Sequence, residues 1–176
     1  LGGADTVIVN DLTGTDVTEV VVNLAGTLGG AAGDSATDTV IVNATAAGDT
    51  IDVLGLGNSV AVIGTPASVT INTSEGANDS LVINALGGND RLDASTLGAG
   101  LIKLTLDGGA GDDTIIGSAG ADVLLGGDGD DVIEGRQGND VALLGAGNDL
   151  FVWNPGDGSD VVEGQAGTDT LRFNGS

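Results

Sequence analysis

One aspartate recurs at a fixed interval along the C-terminal part of the chain. From Asp113, four further aspartates follow at nine-residue steps, and two more follow a two-residue insertion. The seven are Asp113, Asp122, Asp131, Asp140, Asp149, Asp160 and Asp169. A strict short period is typical of repeat folds, in which each unit buries its apolar face only against its neighbours. The spacing therefore predicts a stack of short repeats.

Each of these aspartates is the sixth residue of a nonapeptide, as in residues 108–116 (GGAGDDTII) and 126–134 (GGDGDDVIE). Glycine allows backbone turns that are closed to other residues, so the first six positions are predicted to turn. The last three positions form a short strand, with the middle side chain facing the core. These inward residues are Ile115, Leu124, Ile133, Ala142, Phe151, Val162 and Leu171.

A nonapeptide with one turn and one strand makes half a coil, so aspartates eighteen residues apart stack on one edge. Asp113, Asp131 and Asp149 are predicted to share an edge, and Asp169 joins them if the insertion is absorbed in a loop. Asp122, Asp140 and Asp160 are predicted to line the other edge.

The first half of the chain repeats a looser phrase. Residues 5–10 (DTVIVN), 38–43 (DTVIVN) and 79–84 (DSLVIN) are three copies with a polar residue at each end, and weaker relatives lie between them. Apolar residues alternate with small or polar ones, which is the period of a half-buried strand. No segment shows a helical apolar stripe, so almost no helix is expected.

These patterns together predict an all-β fold, a right-handed parallel β-solenoid or β-roll of about nine coils. Residues 1–107 would form a degenerate-repeat solenoid, and residues 108–176 a regular roll continuous with it. The alternative is an antiparallel β-sandwich over residues 1–106 followed by a separate roll. The chain begins at Leu1 within a patterned stretch, so we expect it to be a segment of a longer protein.

The charge of the chain indicates what it binds. With 26 acidic and four basic residues, the net charge is −22, which disfavours nucleic acid and anionic membranes as partners. A cation is the natural partner, and Ca²⁺ prefers many oxygen ligands. The absence of His and Cys excludes histidine-based triads, thiol nucleophiles and the usual zinc sites. We therefore expect no enzyme activity, and no apolar run reaches the ~20 residues of a membrane span.

The nonapeptides resemble the repeats of the RTX family, the hemolysin-type calcium-binding proteins, whose pattern is Gly-Gly-x-Gly-x-Asp-x-apolar-x. The resemblance implies a calcium-binding β-roll over residues 108–176, with residues 1–107 largely free of Ca²⁺. It also implies ~4–6 bound Ca²⁺ ions between stacked loops. Leu144 and Pro155 depart from the pattern, because each stands at a glycine position.

The resemblance implies which atoms bind the ions, because RTX loops supply backbone carbonyls together with the sixth-position carboxylate. One implied site combines Gly109, Gly111 and Asp113 with Gly126, Asp128 and Asp131. The next combines Ser118, Gly120 and Asp122 with Gly135, Gln137 and Asp140. The other implied ligands in the same register are Gly127, Gly129, Gly138, Gly145, Gly147 and Gly164, with Asp149, Asp160 and Asp169.

Two features of the first half leave alternatives open. Asp90 follows a short glycine-rich segment and is a candidate partner of the loop at Asp113, whereas an ion at Asp5 has weaker support. Asn10, Asn43, Asn72 and Asn84 each end a strand phrase. They either stack as an amide ladder or simply tolerate a left-handed turn.

Three functions agree with these features. The first is a calcium-binding folding module of a secreted bacterial protein, which folds outside the cell after type I secretion. The second is a solenoid segment of a calcium-dependent adhesin, surface layer or matrix filament, with other solenoid segments or copies of itself as partners. The third is an accessory region of a secreted protease, lipase or epimerase. All three place the protein outside the cell or on its surface.

Overall fold

The computed structural model describes residues 2–27 and 29–175, and in these residues it contains sixteen strands and no helix. The strands are Thr6–Val9 (β1), Glu19–Asn23 (β2), Thr39–Asn43 (β3), Thr50–Leu56 (β4), Ser59–Ile63 (β5), Ser68–Asn72 (β6), Ser80–Asn84 (β7), Arg91–Asp93 (β8), Lys103–Ala110 (β9), Thr114–Ile116 (β10), Asp122–Asp128 (β11), Val132–Glu134 (β12), Val141–Gly147 (β13), Leu150–Trp153 (β14), Val161–Gly167 (β15) and Thr170–Phe173 (β16).

The strands form two sheets that share one core. Sheet A has the order β1-β3-β7-β9-β11-β13-β15, and all its pairs are parallel. Sheet B has the order β16-β14-β12-β10-β8-β4-β5-β6-β2. From β7 onward the chain alternates between the two sheets, so that each coil adds one strand to each. The predicted parallel β-solenoid is confirmed.

The strand register gives the length of each coil in the regular part. Thr114 pairs with Val132, and Val132 pairs with Leu150, at steps of eighteen residues. Leu150 then pairs with Thr170, so the two-residue insertion lies in the loop before β15 and leaves the register intact. The aspartates that precede these strands are therefore stacked as the spacing predicted.

The first half departs from the regular coil. Thr6 pairs with Thr39, and Thr39 pairs with Ser80, so these coils contain 33 and 41 residues. The additional length forms a meander, because β4 pairs with β5 and β5 with β6 in antiparallel fashion. The β4–β5 turn contains Gly57 at a φ of 68°, a conformation that suits a two-residue hairpin.

Two predictions about the first half are corrected by this meander. Two of the weaker strand phrases between residues 43 and 79, which begin near Asn58 and Ala67 and form β5 and β6, are not separate coils, and sheet A contains seven strands in the described residues instead of the about nine coils expected. Strand-like spacing alone does not distinguish a coil from a hairpin. The antiparallel sandwich is also wrong for this region, because β1, β3 and β7 pair in parallel.

The core is a column of apolar side chains between the sheets. Five of the seven predicted inward residues are at most 2% exposed: Ile115, Leu124, Ile133, Ala142 and Phe151. Val162 is only partly buried, and Leu171 is 44% exposed. Leu171 pairs in register with the buried Phe151 and lines one cavity with it, so it faces the core side, and it is exposed because β16 is an edge strand of sheet B.

Three of the four asparagines form the amide ladder. Asn43 Nδ2 donates to Asn10 Oδ1 at 2.8 Å, and Asn84 Nδ2 donates to Asn43 Oδ1 at 2.7 Å. Asn72 lies in sheet B, where its Oδ1 accepts a hydrogen bond from Ser59 Oγ. The ladder interpretation is thus confirmed for sheet A.

We predict that Ile83→Ala lowers the free energy of unfolding by about 2–5 kcal/mol, because Ile83 is fully buried and its loss leaves a cavity. Ile8→Ala is the matched control in the same sheet. Ile8 is 56% exposed, so this change should stay within about 0.5 kcal/mol. Denaturant unfolding followed by circular dichroism measures both, and equal losses would contradict the assigned core.

Candidate metal centre

The sixth-position aspartates form two columns that run along the edges of the coil. The first column, which we call the B-side column, precedes the strands of sheet B and contains Asp49, Asp90, Asp113, Asp131, Asp149 and Asp169. The second, the A-side column, lies at the start of strands of sheet A and contains Asp122, which begins β11, and Asp140 and Asp160, which precede β13 and β15.

Each column is held together by a hydrogen bond from the backbone of one coil to the side chain of the next. The N–H of Asp113 donates to Asp131 Oδ1 at 2.8 Å, and the N–H of Asp131 donates to Asp149 Oδ1 at the same distance. In the A-side column, the N–H of Asp122 donates to Asp140 Oδ1 at 2.9 Å. One oxygen of each acceptor carboxylate is therefore used to stack coils.

The second carboxylate oxygen is buried without a hydrogen-bond partner in most members of the columns. This holds for Oδ2 of Asp90, Asp113, Asp131, Asp140, Asp149 and Asp160. Leaving a buried oxygen unpaired costs about 1–3 kcal/mol, and more when the group is charged. A row of such oxygens is an arrangement that a cation would complete.

Glycines leave room around these oxygens. A Cβ built on Gly108 would overlap Asp113 Oδ2 and lie 2.7 Å from the carbonyl oxygen of Gly126 in the next coil. A Cβ on Gly117 would lie 2.9 Å from Asp122 Oδ2 and 2.5 Å from the carbonyl oxygen of Gly135. A carboxylate oxygen and a carbonyl oxygen of the following coil thus face one small space, which suits the mixed oxygen ligands of Ca²⁺.

Carbonyls at the second and fourth positions also line the stack. Gly109, Gly127 and Gly145 pair in register, and a Cβ on Gly127 would collide with the carbonyl oxygen of Gly109. The fourth-position glycines behave alike, since a Cβ on Gly129 would collide with the carbonyl oxygen of Gly111. These glycines have positive φ, so a side chain is excluded by both conformation and space.

The structure brings the remaining predicted ligands to the same loops. Gly147 and Gly167 continue the fourth-position stack, Gly138 packs against the carbonyl oxygen of Gly120, and Gly164 packs against Asp169 Oδ2. The carbonyl of Asp128 accepts a hydrogen bond from the N–H of Gly111 at 2.7 Å. One of its two lone pairs is therefore already used. Gln137 is exposed beside Gly138.

Asp122 differs from the other column members. Its Oδ2 accepts a hydrogen bond from the N–H of Ser118 at 2.6 Å, and its Oδ1 accepts one from Ser118 Oγ at 2.9 Å. Both oxygens are thus satisfied within its own loop. Asp122 pairs with Leu104 in sheet A, so the A-side column begins at a position that an apolar core residue occupies one coil earlier.

Fifth-position residues form a separate ladder on the outer surface. The N–H of Asp130 donates to Asp112 Oδ1 at 2.9 Å, and the N–H of Asn148 donates to Asp130 Oδ1 at 2.7 Å. Asp130 is exposed, whereas the adjacent Asp131 is 1% exposed. Adjacent carboxylates in one loop therefore have different surroundings.

The columns shift the ionisation of their carboxyl groups. Burial, reinforced by neighbouring carboxylates, raises the pKa of Asp131 and of Asp140 to about 7. Burial raises the pKa of Asp113 and of Asp122 to about 6. Without a cation, the arrangement thus disfavours the charged form of these carboxyl groups, which still ionise at or near neutral pH.

Side-chain carboxylates alone do not form a metal cluster. In residues 2–27 and 29–175, no three Asp or Glu side chains converge on one point. Each coil contributes one buried carboxylate to an edge, so backbone carbonyls must supply most ligands. The fit to a cation therefore depends on the loop backbone.

Two buried aspartates outside the nonapeptides, Asp90 and Asp38, have the same unpaired Oδ2 and the same hydrogen bonds between coils. Asp90 is 3% exposed, and its N–H donates to Asp113 Oδ1 at 2.8 Å, so it belongs to the B-side column. The short glycine-rich segment before Asp90 was the signal for it. Asp38 also has a buried, unpaired Oδ2, but its neighbour is 41 residues away, and no regular spacing points to it.

Comparison with known protein families agrees with the resemblance seen in the sequence. The family model of the RTX calcium-binding nonapeptide repeat matches residues 105–133, 116–151 and 156–175, with four copies. No curated protein matches the chain. The C-terminal part of the chain therefore consists of RTX calcium-binding repeats.

We predict that the calcium-free protein is more stable at pH 4 than at pH 8. The folded-state pKa values of Asp131 and Asp140, about 7, lie above the ordinary value of 3.8. Protonation therefore stabilises the fold at pH values below 3.8, and this contribution is lost as the pH rises through about 7. Thermal unfolding in chelator at several pH values measures the effect, and higher stability at pH 8 would contradict it.

We predict that Gly126→Ala destabilises the roll by about 1–3 kcal/mol, because its Cβ would collide with Asp131 Oδ2 and with the carbonyl oxygen of Leu144. Gly98→Ala is the control, since no atom lies within 4 Å of its Cβ position. Thermal unfolding compares the two variants. Similar stability for both would show that the loops have room for a side chain.

Proposed function

Taking the RTX calcium-binding repeats of residues 105–175 as the premise, we propose that the protein is a structural module that folds when Ca²⁺ binds outside the cell. The proposal rests on the two columns of buried carboxylates with unpaired Oδ2 atoms. Such columns hold like charges close together in a chain with a net charge of −22. A divalent cation between coils would neutralise that charge.

The residues that would bind the ions follow from the geometry of the loops. In the B-side column, Asp113 Oδ2 and the carbonyl oxygen of Gly126 face one space, and the stacked carbonyls of Gly109 and Gly111 lie in the same turn. In the A-side column, the unpaired Oδ2 atoms belong to Asp140 and Asp160. Asp122 Oδ2 faces the carbonyl oxygen of Gly135 but already accepts the N–H of Ser118. Bound Ca²⁺ would supply positive charge that cross-links successive coils.

Coupling of folding to calcium would suit a secreted protein. Ligands that bind only the native state stabilise it by mass action, so the fold depends on the Ca²⁺ concentration. Extracellular calcium modules bind with dissociation constants of about 10⁻⁴–10⁻³ M, far above cytoplasmic calcium. The chain would then remain unfolded inside the cell and fold after export, as in type I secretion.

A second candidate role is that of a solenoid segment in an adhesin, surface layer or matrix filament. Sheet A runs without interruption from β1 to β15, so the first half extends the roll as a spacer. We propose no catalytic role for the chain, because it lacks His and Cys. None of its described segments forms a helix of the length and apolarity that a membrane crossing requires.

We predict that residues 108–176 lose their β-structure when Ca²⁺ is removed at neutral pH and regain it when Ca²⁺ is added. The reason is that the buried carboxylates then ionise without a counter-ion. Circular dichroism of the full chain, with chelator and then with increasing Ca²⁺, measures the change. Undiminished β-structure in chelator would contradict calcium-coupled folding.

We predict that Asp131→Asn weakens calcium binding by about tenfold or more, because it removes one charged ligand from a buried column. Asp130→Asn is the matched control in the adjacent position. An asparagine there keeps the Oδ1 that accepts the N–H of Asn148. Asp130→Asn should lower calcium affinity only through the long-range attraction between the charged protein and the ion, which ~0.15 M salt screens.

Calorimetric titration of both variants with Ca²⁺, at low and at physiological salt, distinguishes the two positions. Equal loss of affinity in both at physiological salt would show that the ligand register is shifted by one residue.

A further inference from the structure

A separate group of carboxylates lies at the sheet A edge of the first half, outside the residues matched by the RTX repeats. We call this group the acidic edge. It comprises Asp5, Asp34, Asp38, Glu75 and Asp79. Their loops are brought together by the pairing of β1, β3 and β7, because residues 33–38 precede β3 and residues 74–79 precede β7. We propose that the acidic edge binds a Ca²⁺ ion at Asp38.

Asp38 is the centre of the acidic edge and is 1% exposed. Its Oδ1 accepts a hydrogen bond from the N–H of Asp5 at 2.8 Å, and its own N–H donates to Asp79 Oδ1 at 3.1 Å. Its Oδ2 is buried and has no hydrogen-bond partner. Asp38 thus repeats the bonding pattern of Asp113 and Asp131 in a part of the chain that lacks the nonapeptide.

The neighbouring groups supply further oxygen ligands. Ser74 Oγ is also buried without a hydrogen-bond partner. Ser74 stands five residues before Asp79, as Gly108 stands five residues before Asp113. In the nonapeptide loops that position lies against the carboxylate of its own loop and against the carbonyl oxygen of the corresponding residue in the next coil, as Gly108 lies against Asp113 Oδ2 and the carbonyl oxygen of Gly126. The two unpaired oxygens, of Asp38 and Ser74, thus belong to neighbouring loops of the stack.

Glu75 enters the same loop from the next coil. Its carboxylate occupies the space where a Cβ of Gly33 would lie, and its Oε2 accepts a hydrogen bond from the N–H of Ser35 at 2.7 Å. Gly33 stands five residues before Asp38, so Glu75 lies at the position that corresponds to Gly108, where the carbonyl oxygen of Gly126 approaches from the next coil. A side-chain carboxylate thereby takes the place that backbone carbonyls fill in the nonapeptide loops.

The local charge favours a cation and is not neutralised by the protein. Asp79, Asp34 and Asp5 all repel the charge of Asp38, and burial together with this repulsion raises its pKa. Among the described residues, no basic side chain forms an ion pair with the acidic edge: Arg91 pairs with Asp93, and Lys103, the basic residue beside Asp79, donates to the carbonyl of Asn78. The carboxylates of Asp38 and Glu75 and the hydroxyl of Ser74, completed by backbone carbonyls as in the nonapeptide loops, are oxygen ligands of the kind that Ca²⁺ prefers.

The test is calorimetric titration of the full chain with Ca²⁺, comparing Asp38→Asn with the exposed control Asp16→Asn. Asp38→Asn should lower the number of bound ions by one and leave the ions of the C-terminal repeats unchanged. Asp131→Asn should instead weaken the ions of the C-terminal repeats and leave the ion at Asp38 unchanged. Failure at the acidic edge is therefore distinguishable from failure of the proposed function. The same stoichiometry and affinity in the Asp38 and Asp16 variants would overturn the proposal.

A second variant covers the case in which Asp38→Asn does not fold, as judged by circular dichroism at saturating Ca²⁺. Glu75→Gln keeps an oxygen that accepts the N–H of Ser35 but removes the charge. It should weaken one ion by about tenfold or more. A crystal structure grown in Ca²⁺ should then show an ion about 2.3–2.6 Å from Asp38 Oδ2. Unchanged affinity in Glu75→Gln, or a site without an ion, would overturn the proposal.

Discussion

The hydrogen bond from a backbone N–H to the aspartate Oδ1 of the next coil fixes the rest of the structure. It repeats from Asp49 through Asp90 to Asp113, and then onward to Asp169. Because one carboxylate oxygen accepts this bond, Asp90, Asp113, Asp131 and Asp149 each keep a buried second oxygen without a partner. The candidate metal centre depends on that repeated arrangement.

In this small all-β protein, the stability of the fold depends on buried acidic side chains as well as on the apolar core. Its core is narrow, since most inward side chains are Val, Ile, Leu or Ala, and only Phe151 is a fully buried aromatic residue. The edges of the coil carry buried acids in place of further apolar residues. The core holds the two sheets together, and the proposed cation would hold one coil to the next.

The regular part was predictable because its order is local. A nine-residue period fixes which residues stack, and the glycines at Gly111 and Gly129 mark the turns, so the columns and most of the core follow from spacing alone. The first half was only partly predictable. The phrases at residues 5–10, 38–43 and 79–84 do form neighbouring strands of sheet A.

The lengths of the coils that join those phrases depend on long-range pairing, which local spacing does not encode. Residues 50–72 have strand periodicity whether they form separate coils or a meander, and the antiparallel pairing of β4, β5 and β6 is decided by contacts with sheet B. The acidic edge was missed for the same reason, since Asp38 and Asp79 are 41 residues apart.

Coils of 18, 20, 33 and 41 residues all stack in one register. The number of residues in a coil therefore does not determine where its strands lie in the stack. The sheet positions are constant, whereas the loops between them vary freely. Insertions in such a loop enlarge one coil without displacing the coils on either side. The solenoid can therefore serve as a scaffold on which new elements, such as the β4–β5 hairpin, are acquired one loop at a time while the axial order of the fold is preserved.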